Sequence, residues 1–215
     1  MFEFEKIQSS EYPEINLCLV RGHFVTPHSH INYYIDMTAM RSKQMVAQKV
    51  AKAIAAQYVS NTCIDTILCM DKTEVIGAYL AEYLSEQGIM SINMDKTINI
   101  CTPEFNNDYN GCQIVFRDNI QPMIRSKHVL VLLGTATTGK TLGSAIEVVK
   151  YYGGEIAGIS AIFSAAENVQ GIPINALFTQ KDISDYKVSD PSKCEMCERG
   201  QKIDALVNGF GYTQL

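Results

Sequence analysis

Residues 134–141 combine residue types that bind a phosphate with a position in the chain that favours binding. The segment reads Gly-Thr-Ala-Thr-Thr-Gly-Lys-Thr and supplies two glycines, four hydroxyls and one cation. It follows the apolar run 129–133 and precedes a segment with helical periodicity. A loop from strand to helix directs backbone N–H groups toward one point, where the helix dipole also favours an anion. These residues therefore predict a phosphate site formed by Thr135, Ala136, Thr137, Thr138, Gly139, Lys140 and Thr141.

Three interpretations of this loop remain open from the eight residues alone. They fit the P-loop pattern GxxxxGK[ST] of nucleoside triphosphatases at every fixed position. Residues 137–139, Thr-Thr-Gly, also resemble the phosphoribosyl-diphosphate loop of type I phosphoribosyltransferases. The third interpretation needs no ligand: an ordinary turn whose threonines cap the following helix. Lys140 then either contacts a phosphate or points into solvent.

Other segments resemble orotate phosphoribosyltransferases, in the order found in that family. Residues 22–25, Gly-His-Phe-Val, with His30 and the pair Tyr33-Tyr34, resemble its N-terminal segment. Residues 65–68 and 77–81 resemble its strand, diphosphate loop and helix. The tail, with Asp185-Tyr186, Cys194, Cys197 and Gly200, resembles that of several bacterial members. The resemblance covers roughly residues 20 to 200.

This resemblance implies a fold, a ligand and an assembly. The fold is α/β, a parallel-sheet type I phosphoribosyltransferase fold with a small hood subdomain. Its parts are a hood segment over 1–40, a core over 41–183 and a tail with a Cys-x-x-Cys pair over 184–215. The loop would hold the 5′-phosphate of phosphoribosyl diphosphate, which the family uses with magnesium. Tyr33 and Tyr34 would lie near the base, although both would also suit an ordinary hydrophobic core. The resemblance also implies that the protein forms a homodimer.

The catalytic motifs of the family are degraded in this chain. The two acidic residues before the Thr-Thr-Gly portion fall on Leu133 and Gly134, so both carboxylates are missing. The diphosphate loop, residues 69–74, carries Asp71 and Glu74, which would repel a diphosphate and favour a solvated loop. No catalytic residue is assigned, and Lys96 and Lys72 remain as candidates. Fixed negative charge stabilises positive charge that develops at the sugar carbon, and its loss commonly costs ~10²–10³ in rate.

Three functions follow from these motifs. The first is orotate phosphoribosyltransferase-type glycosyl transfer with weakened or altered chemistry. The second is a non-catalytic relative that binds a phosphorylated ribose or a nucleotide as a sensor or partner subunit. The third is a P-loop nucleoside triphosphatase. The sequence does not decide whether the protein is an enzyme.

Two groups of potential metal ligands lie far apart in the sequence. Cys194 and Cys197 supply two ligands, but no further pair stands at the spacing of a zinc finger. His23, His28 and His30 lie within eight residues, and the family resemblance already accounts for the first and third. We therefore predict no protein-bound metal.

The composition excludes several classes of protein. A net charge of −5 without basic runs argues against nucleic-acid binding. No window approaches the ~20 apolar residues of a membrane-spanning helix, and residues 1–14 lack the apolar segment of a signal peptide. Seven cysteines, an odd number, indicate reduced thiols and a cytoplasmic location.

The elements that must position the loop are predicted from hydrophobic periodicity. We expect helices over 42–59 and 74–87, with Gly88 ending the second. We expect core strands over 62–70, 89–94, 129–133, 156–163 and 174–179, with a flexible loop or hairpin over 95–118. Residues 1–20 should form a helix or irregular cap, 22–38 strands, 184–199 a polar connection and 201–207 a last short helix. Alternating strands and helices imply a parallel sheet covered on both faces.

Overall fold

The computed structural model describes residues 2–86, 91–108 and 111–215. The strands are β1 Glu5–Gln8, β2 Asn16–Val25, β3 His30–Asp36, β4 Thr66–Cys69, β5 Asn99–Cys101, β6 Glu104–Asp108, β7 Gly111–Val115, β8 His128–Ala136, β9 Glu155–Ser164, β10 Asn168–Val169, β11 Ile172–Pro173, β12 Asn175–Thr179, β13 Val188–Ser189, β14 Ala205–Asn208 and β15 Gly211–Gln214. The helices are α1 Thr38–Ser42, α2 Gln44–Ala55, α3 Glu74–Ser85, α4 Lys140–Tyr151 and α5 Glu195–Glu198. Short 3₁₀ turns cover Gln121–Met123, Gln180–Asp182 and Pro191–Lys193.

A five-stranded sheet in the order β12-β9-β8-β4-β5 forms the core, and all its strand pairs are parallel. The central strand β8 contains the apolar run 129–133, whose side chains are all buried. Such a run is typical of a strand covered on both faces. The predicted parallel sheet is therefore confirmed.

Helices cover both faces of this sheet. Successive side chains of β8 point to opposite sides, so they pack against helices on both faces. On one face, Leu130 belongs to the same buried cluster as Val50 and Ile54 of α2. On the other face, Val129 and Val131 belong to a cluster with the buried side of α4, including Leu142, Ala145, Ile146 and Val149. This packing fixes the start of α4 at the carboxyl end of β8.

A second sheet combines strands from the two ends of the chain. Its order is β13-β3-β2-β14-β15, and β1 pairs with the other part of β2. The pairing of β14 with β2 is parallel and the other pairings are antiparallel. We call this second sheet the hood sheet. The predicted boundaries at 40/41 and 183/184 remain a prediction.

Three predicted elements are wrong. A helix or irregular cap was expected over residues 1–20, but residues 2–20 contain β1 and the first half of β2, and Met1 lies outside the described residues. Residues 201–207 do not form a helix, because Ala205–Asn208 pairs with β2 and β15. The strand predicted over 89–94 is also wrong, since 92–95 form turns and the edge strand of the core is Asn99–Cys101. Ile89, Met90 and the predicted helix end at Gly88 lie outside the described residues.

The segment 95–118 contains a hairpin, one of the two forms expected for it. Strands β6 and β7 pair in antiparallel fashion. Arg117 donates two hydrogen bonds of 2.6 Å to the carboxylate of Glu104, next to the open end of this hairpin.

In the three described ranges, none of the helices has the length and apolar character needed to cross a membrane.

Candidate functional site

The candidate site is a cavity of about 160 Å³ at the carboxyl end of the core sheet, opposite the hood sheet. Ligands of open parallel sheets bind at this end of the strands. The cavity is lined by Thr26, Pro27, His28, Ile31, Tyr34, Ile35, Met70, Asp71, Leu133, Thr135, Ala136, Thr137, Thr138, Gly139, Lys140, Thr141, Leu142, Tyr186, Val207, Asn208 and Gly209. All seven residues of the predicted phosphate loop are among them.

The loop joins β8 to α4 through a left-handed residue. Gly139 has φ 71°, a conformation that glycine adopts without steric cost, and α4 begins at the next residue. The first N–H groups of a helix have no acceptor within the helix, so those of α4 are available at the cavity. The N-terminus of α4 therefore offers donors and a favourable dipole to an anion.

The threonines of the loop do not cap the helix. The N-cap is Gly139, and no side chain accepts a hydrogen bond from the first turn of α4. Within the ranges that the structure describes, the hydroxyls of Thr137, Thr138 and Thr141 have no hydrogen-bond partner. The capping interpretation is therefore wrong for these residues, and their hydroxyls remain available to a ligand.

Tyr186 is a cavity residue that the sequence analysis did not assign to the site. Its side chain is 2% exposed, and its ring packs edge-on against Phe163 with centroids 4.9 Å apart. The hydroxyl is buried and has no hydrogen-bond partner in the described part of the chain. Burial raises the pKa of this phenol, so it stays protonated. A buried, unpartnered hydroxyl is costly, so the Tyr186 hydroxyl is a candidate contact for a ligand of the cavity.

Asp71 lies beside the positions of the missing acidic pair. A Cβ placed on Gly134 would lie 3.5 Å from the Cβ of Asp71. Burial raises the pKa of the Asp71 carboxyl group, while hydrogen bonds from the backbone of Thr135 and Gly134 and the charge of Arg41 oppose the shift. Arg41 also donates to the backbone carbonyls of Asp71, at 2.6 Å, and of Gly209. The solvated loop expected over residues 69–74 therefore describes Lys72 and Glu74, which are exposed, but not Asp71, which is partly buried.

The two candidate lysines both lie outside the cavity lining. Lys72 is exposed, and its Nζ lies 4.7 Å from the ring centroid of Phe210 in a cation–π contact. Lys96 donates a hydrogen bond of 2.8 Å to Cys63 and lies 3.8 Å from the carboxylate of Asp65. Asp65 precedes β4, so Lys96 is at the amino end of the core sheet. Within one chain, Lys96 is therefore at the edge opposite the cavity.

The two predicted base-pocket residues separate, because neighbouring side chains of β3 point in opposite directions. Tyr34 lines the cavity. Burial raises the pKa of its hydroxyl to about 12, and the negative charge of Asp36 contributes a smaller rise. Tyr33 does not line it: its hydroxyl donates to the carboxylate of Asp185 at 2.9 Å, and Arg21 lies over its ring.

The hood sheet also contributes cavity residues that the sequence analysis did not assign. The turn between β2 and β3 supplies residues 26–28, and the end of β14 supplies residues 207–209. The turn directly follows residues 22–25, which resemble the N-terminal segment of the family. Their position could have indicated that residues 26–28 belong to the site. The end of β14 could not be identified, because we predicted a helix there.

Comparison with known proteins finds similarity to orotate phosphoribosyltransferases. No family model matches the chain. It is similar to two curated orotate phosphoribosyltransferases. The one from Desulforamulus reducens is 25% identical over 186 residues, covering 85% of this chain and 86% of the relative. The one from Sulfurimonas denitrificans is 25% identical over 198 residues, covering 86% and 90%.

Solved structures of phosphoribosyltransferases share the fold. The adenine enzyme from Trypanosoma brucei, in complex with AMP, pyrophosphate and ribose-5-phosphate, aligns with a TM-score of 0.53 at 14% identity, covering 81% of this chain and 82% of that one. The orotate enzyme from Aeropyrum pernix aligns with a TM-score of 0.52 at 17% identity, covering 77% and 89%. The chain therefore has the α/β type I phosphoribosyltransferase fold and resembles orotate phosphoribosyltransferases in sequence.

Proposed function

We propose that the cavity binds a phosphorylated ribose, as phosphoribosyl diphosphate or a nucleotide, with the 5′-phosphate against residues 135–141. The observation that carries this proposal is a set of donors without acceptors. The hydroxyls of Thr137, Thr138 and Thr141 and the first N–H groups of α4 all belong to one side of the cavity. Phosphate oxygens are the acceptors that such a set binds.

The ribose and base would occupy the remaining part of the cavity. Tyr34, Ile31 and Val207 offer an apolar surface, and the hydroxyl of Tyr186 offers one polar contact within it. Ligand pockets commonly combine an apolar lining with a few polar groups that fix orientation. We assign base contact to Tyr34 and give Tyr33 no role in it.

Glycosyl transfer of the orotate phosphoribosyltransferase type would be slow in this cavity. Diphosphate leaves the sugar carbon, positive charge develops there, and a fixed carboxylate stabilises it. Leu133 and Gly134 supply no carboxylate, and Asp71 is the one acidic residue that lines the cavity within the described residues. Loss of such a group commonly costs ~10²–10³ in rate. We therefore propose weakened transfer that depends on Asp71.

Magnesium is the cofactor we propose for this transfer, bound together with the diphosphate. Mg²⁺ commonly binds through one or two carboxylates together with substrate phosphates, and Asp71 is a carboxylate that lines the cavity. The ion would neutralise charge on the leaving diphosphate. A homodimer and a cytoplasmic location are further proposals that follow from the same resemblance, and sedimentation of the purified protein measures the first.

Calorimetric titration with phosphoribosyl diphosphate and magnesium tests the proposal. Gly139→Asp places a carboxylate at the N-terminus of α4 and should abolish binding. The matched control is Gly153→Asp at the other end of the same helix, where φ is 79° and the nearest atom to an added Cβ is Arg125 Cγ at 3.9 Å. The control carries the same strain but should bind like the original protein. Equal binding by both variants would contradict the proposed phosphate site.

Turnover separates the remaining functions. Product formation from orotate or another base, lost in Asp71→Asn, supports the transferase. Binding without turnover for any base supports the non-catalytic relative, which the missing carboxylates at residues 133 and 134 favour. ATP hydrolysis abolished by Lys140→Ala, without binding of phosphoribosyl diphosphate, would support the P-loop interpretation instead.

A further inference from the structure

Four side chains from opposite ends of the chain converge at one point of the hood sheet. His23 is on β2, His30 begins β3, Cys194 precedes α5, and Cys197 lies within α5. The Nε2 atom of His23 lies 3.0 Å from Nδ1 of His30 and 3.6 Å from each of the two sulfurs. The sulfur of Cys197 lies 3.3 Å from Nδ1 of His30. All four atoms lie within 4.8 Å of one another.

These separations match a tetrahedral zinc centre. Zinc binds imidazole nitrogen at about 2.0–2.1 Å and thiolate sulfur at about 2.3 Å. A regular tetrahedron with these bond lengths places two nitrogens about 3.4 Å apart and a nitrogen and a sulfur about 3.6 Å apart. The nitrogen–nitrogen separation in the cluster is shorter, at 3.0 Å, and three nitrogen–sulfur separations, at 3.3–3.6 Å, are equal or slightly shorter. Small outward movements of the side chains would place an ion at the centre.

The surroundings of His23 orient it as a ligand. Its other ring nitrogen, Nδ1, lies 3.0 Å from the backbone carbonyl of Gln201, which can only accept a hydrogen bond. The proton therefore resides on Nδ1, and Nε2 presents its lone pair to the cluster. Histidines that bind metals usually donate their second N–H in this way. The backbone of His23 is also fixed, because it exchanges hydrogen bonds of 2.7 and 2.8 Å with Asp204.

Burial and charge also favour a cation at this point. His23 is fully buried, Cys194 is 1% exposed and His30 is 8% exposed, whereas Cys197 is exposed. Without an ion, the groups of this cluster depend on weak S–H donors and on the single ring N–H of His30, whereas a cation binds all four ligand atoms at once. A zinc ion bound by two thiolates and two neutral imidazoles has no net charge, so the filled cluster suits a buried position.

We propose that the protein binds one structural zinc ion through His23, His30, Cys194 and Cys197. Four protein ligands leave no open position, which is typical of structural sites and not of catalytic ones. The ion would join the β2–β3 hairpin to α5 and to residues 201–204. The turn of this hairpin supplies Thr26, Pro27 and His28 to the cavity, so the ion would hold them in place. We predicted no protein-bound metal from the sequence because neither ligand pair alone completes a site, and about 170 residues separate the two pairs.

Metal analysis of the protein tests the proposal. Protein purified with a thiol reductant and without chelator, then supplied with zinc and desalted, should contain one zinc per chain. Cys197→Ser should lose it, and Cys197 is the suitable position because it is the exposed ligand. Cys18→Ser, a substitution of a partly buried free cysteine on β2, is the matched control and should keep the full amount. Less than a tenth of an ion per chain in the original protein, or equal zinc in both variants, would overturn the proposal.

The ligand set and its structural role are tested on the original protein, which avoids variants that fail to fold. X-ray absorption should show two sulfurs at about 2.3 Å and two nitrogens at about 2.0–2.1 Å around the zinc. A strong chelator should lower the melting temperature, and added zinc should restore it. A sulfur-free coordination shell, or a melting temperature that the chelator leaves unchanged, would contradict the proposal. These outcomes do not depend on whether the cavity binds a phosphorylated ribose.

Discussion

At the scale of single residues, Asp71 combines the role proposed for it in glycosyl transfer with a cost in stability. Its carboxylate lies among the backbone of Gly134 and Thr135 and near Arg41, at the carboxyl end of the core sheet. Burial raises its pKa, so the folded protein holds a proton there more tightly than the unfolded chain does. At every pH above the ordinary carboxyl pKa, the unfolded chain ionises this group more readily than the folded protein does, which destabilises the folded state.

Asp71→Asn should therefore raise the free energy of unfolding at pH 7. The gain should shrink as the pH falls through the raised pKa of Asp71 and vanish below the ordinary carboxyl pKa, because the protonated acid resembles the amide. The same variant should lose any glycosyl transfer. Denaturant unfolding measured between pH 4 and 8 checks the first effect. Glu82→Gln, an exposed change on α3, is the control, and an equal pH-dependent gain there would contradict the explanation.

Tyr186→Phe should separate ligand binding from stability. The change removes a buried hydroxyl that has no partner, so the free energy of unfolding of the free protein should stay equal or rise by up to about 1–3 kcal/mol. Affinity for the nucleotide should fall roughly fivefold or more, because a neutral hydrogen bond contributes about 1 kcal/mol. Calorimetry and denaturant unfolding of the same sample measure both effects. Lower stability with unchanged affinity would show that the hydroxyl serves the fold alone.

At the scale of elements, Tyr58 fixes the segment after α2 to the core sheet. Its hydroxyl donates to the carbonyl of Ile159 at 3.1 Å, lies 2.8 Å from the hydroxyl of Ser160, and accepts from Asn175 at 2.8 Å. Gly158 makes room for the ring, since a Cβ there would lie 2.7 Å from Tyr58 Cε1. One side chain thus joins α2 to β9 and β12.

Tyr58→Phe should lower the free energy of unfolding by about 1–3 kcal/mol, because it leaves buried partners unsatisfied. Tyr186→Phe makes the same chemical change but should leave the free energy of unfolding equal or higher, because the Tyr186 hydroxyl has no partner within the described residues. Nucleotide affinity should stay unchanged, since Tyr58 does not line the cavity. Denaturant unfolding is the measurement, and Tyr151→Phe at a side chain 82% exposed should have no effect. A destabilisation equal in the two variants would refute this assignment.

Elements whose signals are local could be predicted, and those that depend on distant partners could not. The strand, loop and helix from 128 to 151 combine an apolar run, two glycines and a periodic apolar face, and the structure places them as expected. Residues 205–208 form a strand because β2 and β15 pair with them. The helix predicted over 201–207 was based on local sequence alone, which does not contain these partners. Tyr33 and Tyr34 separate for a reason that the sequence does contain, the alternation of a strand.

At the scale of the whole molecule, the cavity lies between the core sheet and the hood sheet, so a ligand bound there would contact both. The sequence indicates the core part of this cavity through one contiguous loop. The other part needs β2, β3 and β14 to meet, and the proposed zinc ligands need residues 171 positions apart to meet. Pairings at such distances leave no local pattern in the chain.

Ligand binding should therefore stabilise both sheets together. A ligand that binds only the folded protein adds about 2.7 kcal/mol to the free energy of unfolding at a concentration 100 times Kd. Hydrogen exchange of amides in β3 and in β8 should slow by similar factors on addition of phosphoribosyl diphosphate and magnesium. Gly139→Asp should abolish both effects. Protection confined to β8 would show that the hood sheet does not take part in binding.

The pairing of the chain ends in the hood sheet has a consequence during synthesis on the ribosome. His23 and its backbone partner Asp204 are separated by 181 positions. At a synthesis rate of about 5–20 residues per second, roughly 10 to 40 seconds pass between the synthesis of β2 and the synthesis of β14. During this time the end of β2 at Phe24 and Val25, where β14 later pairs, presents an unpaired edge to other chains, which is an aggregation hazard. The nascent chain would therefore depend most on chaperones while its core sheet is still being completed.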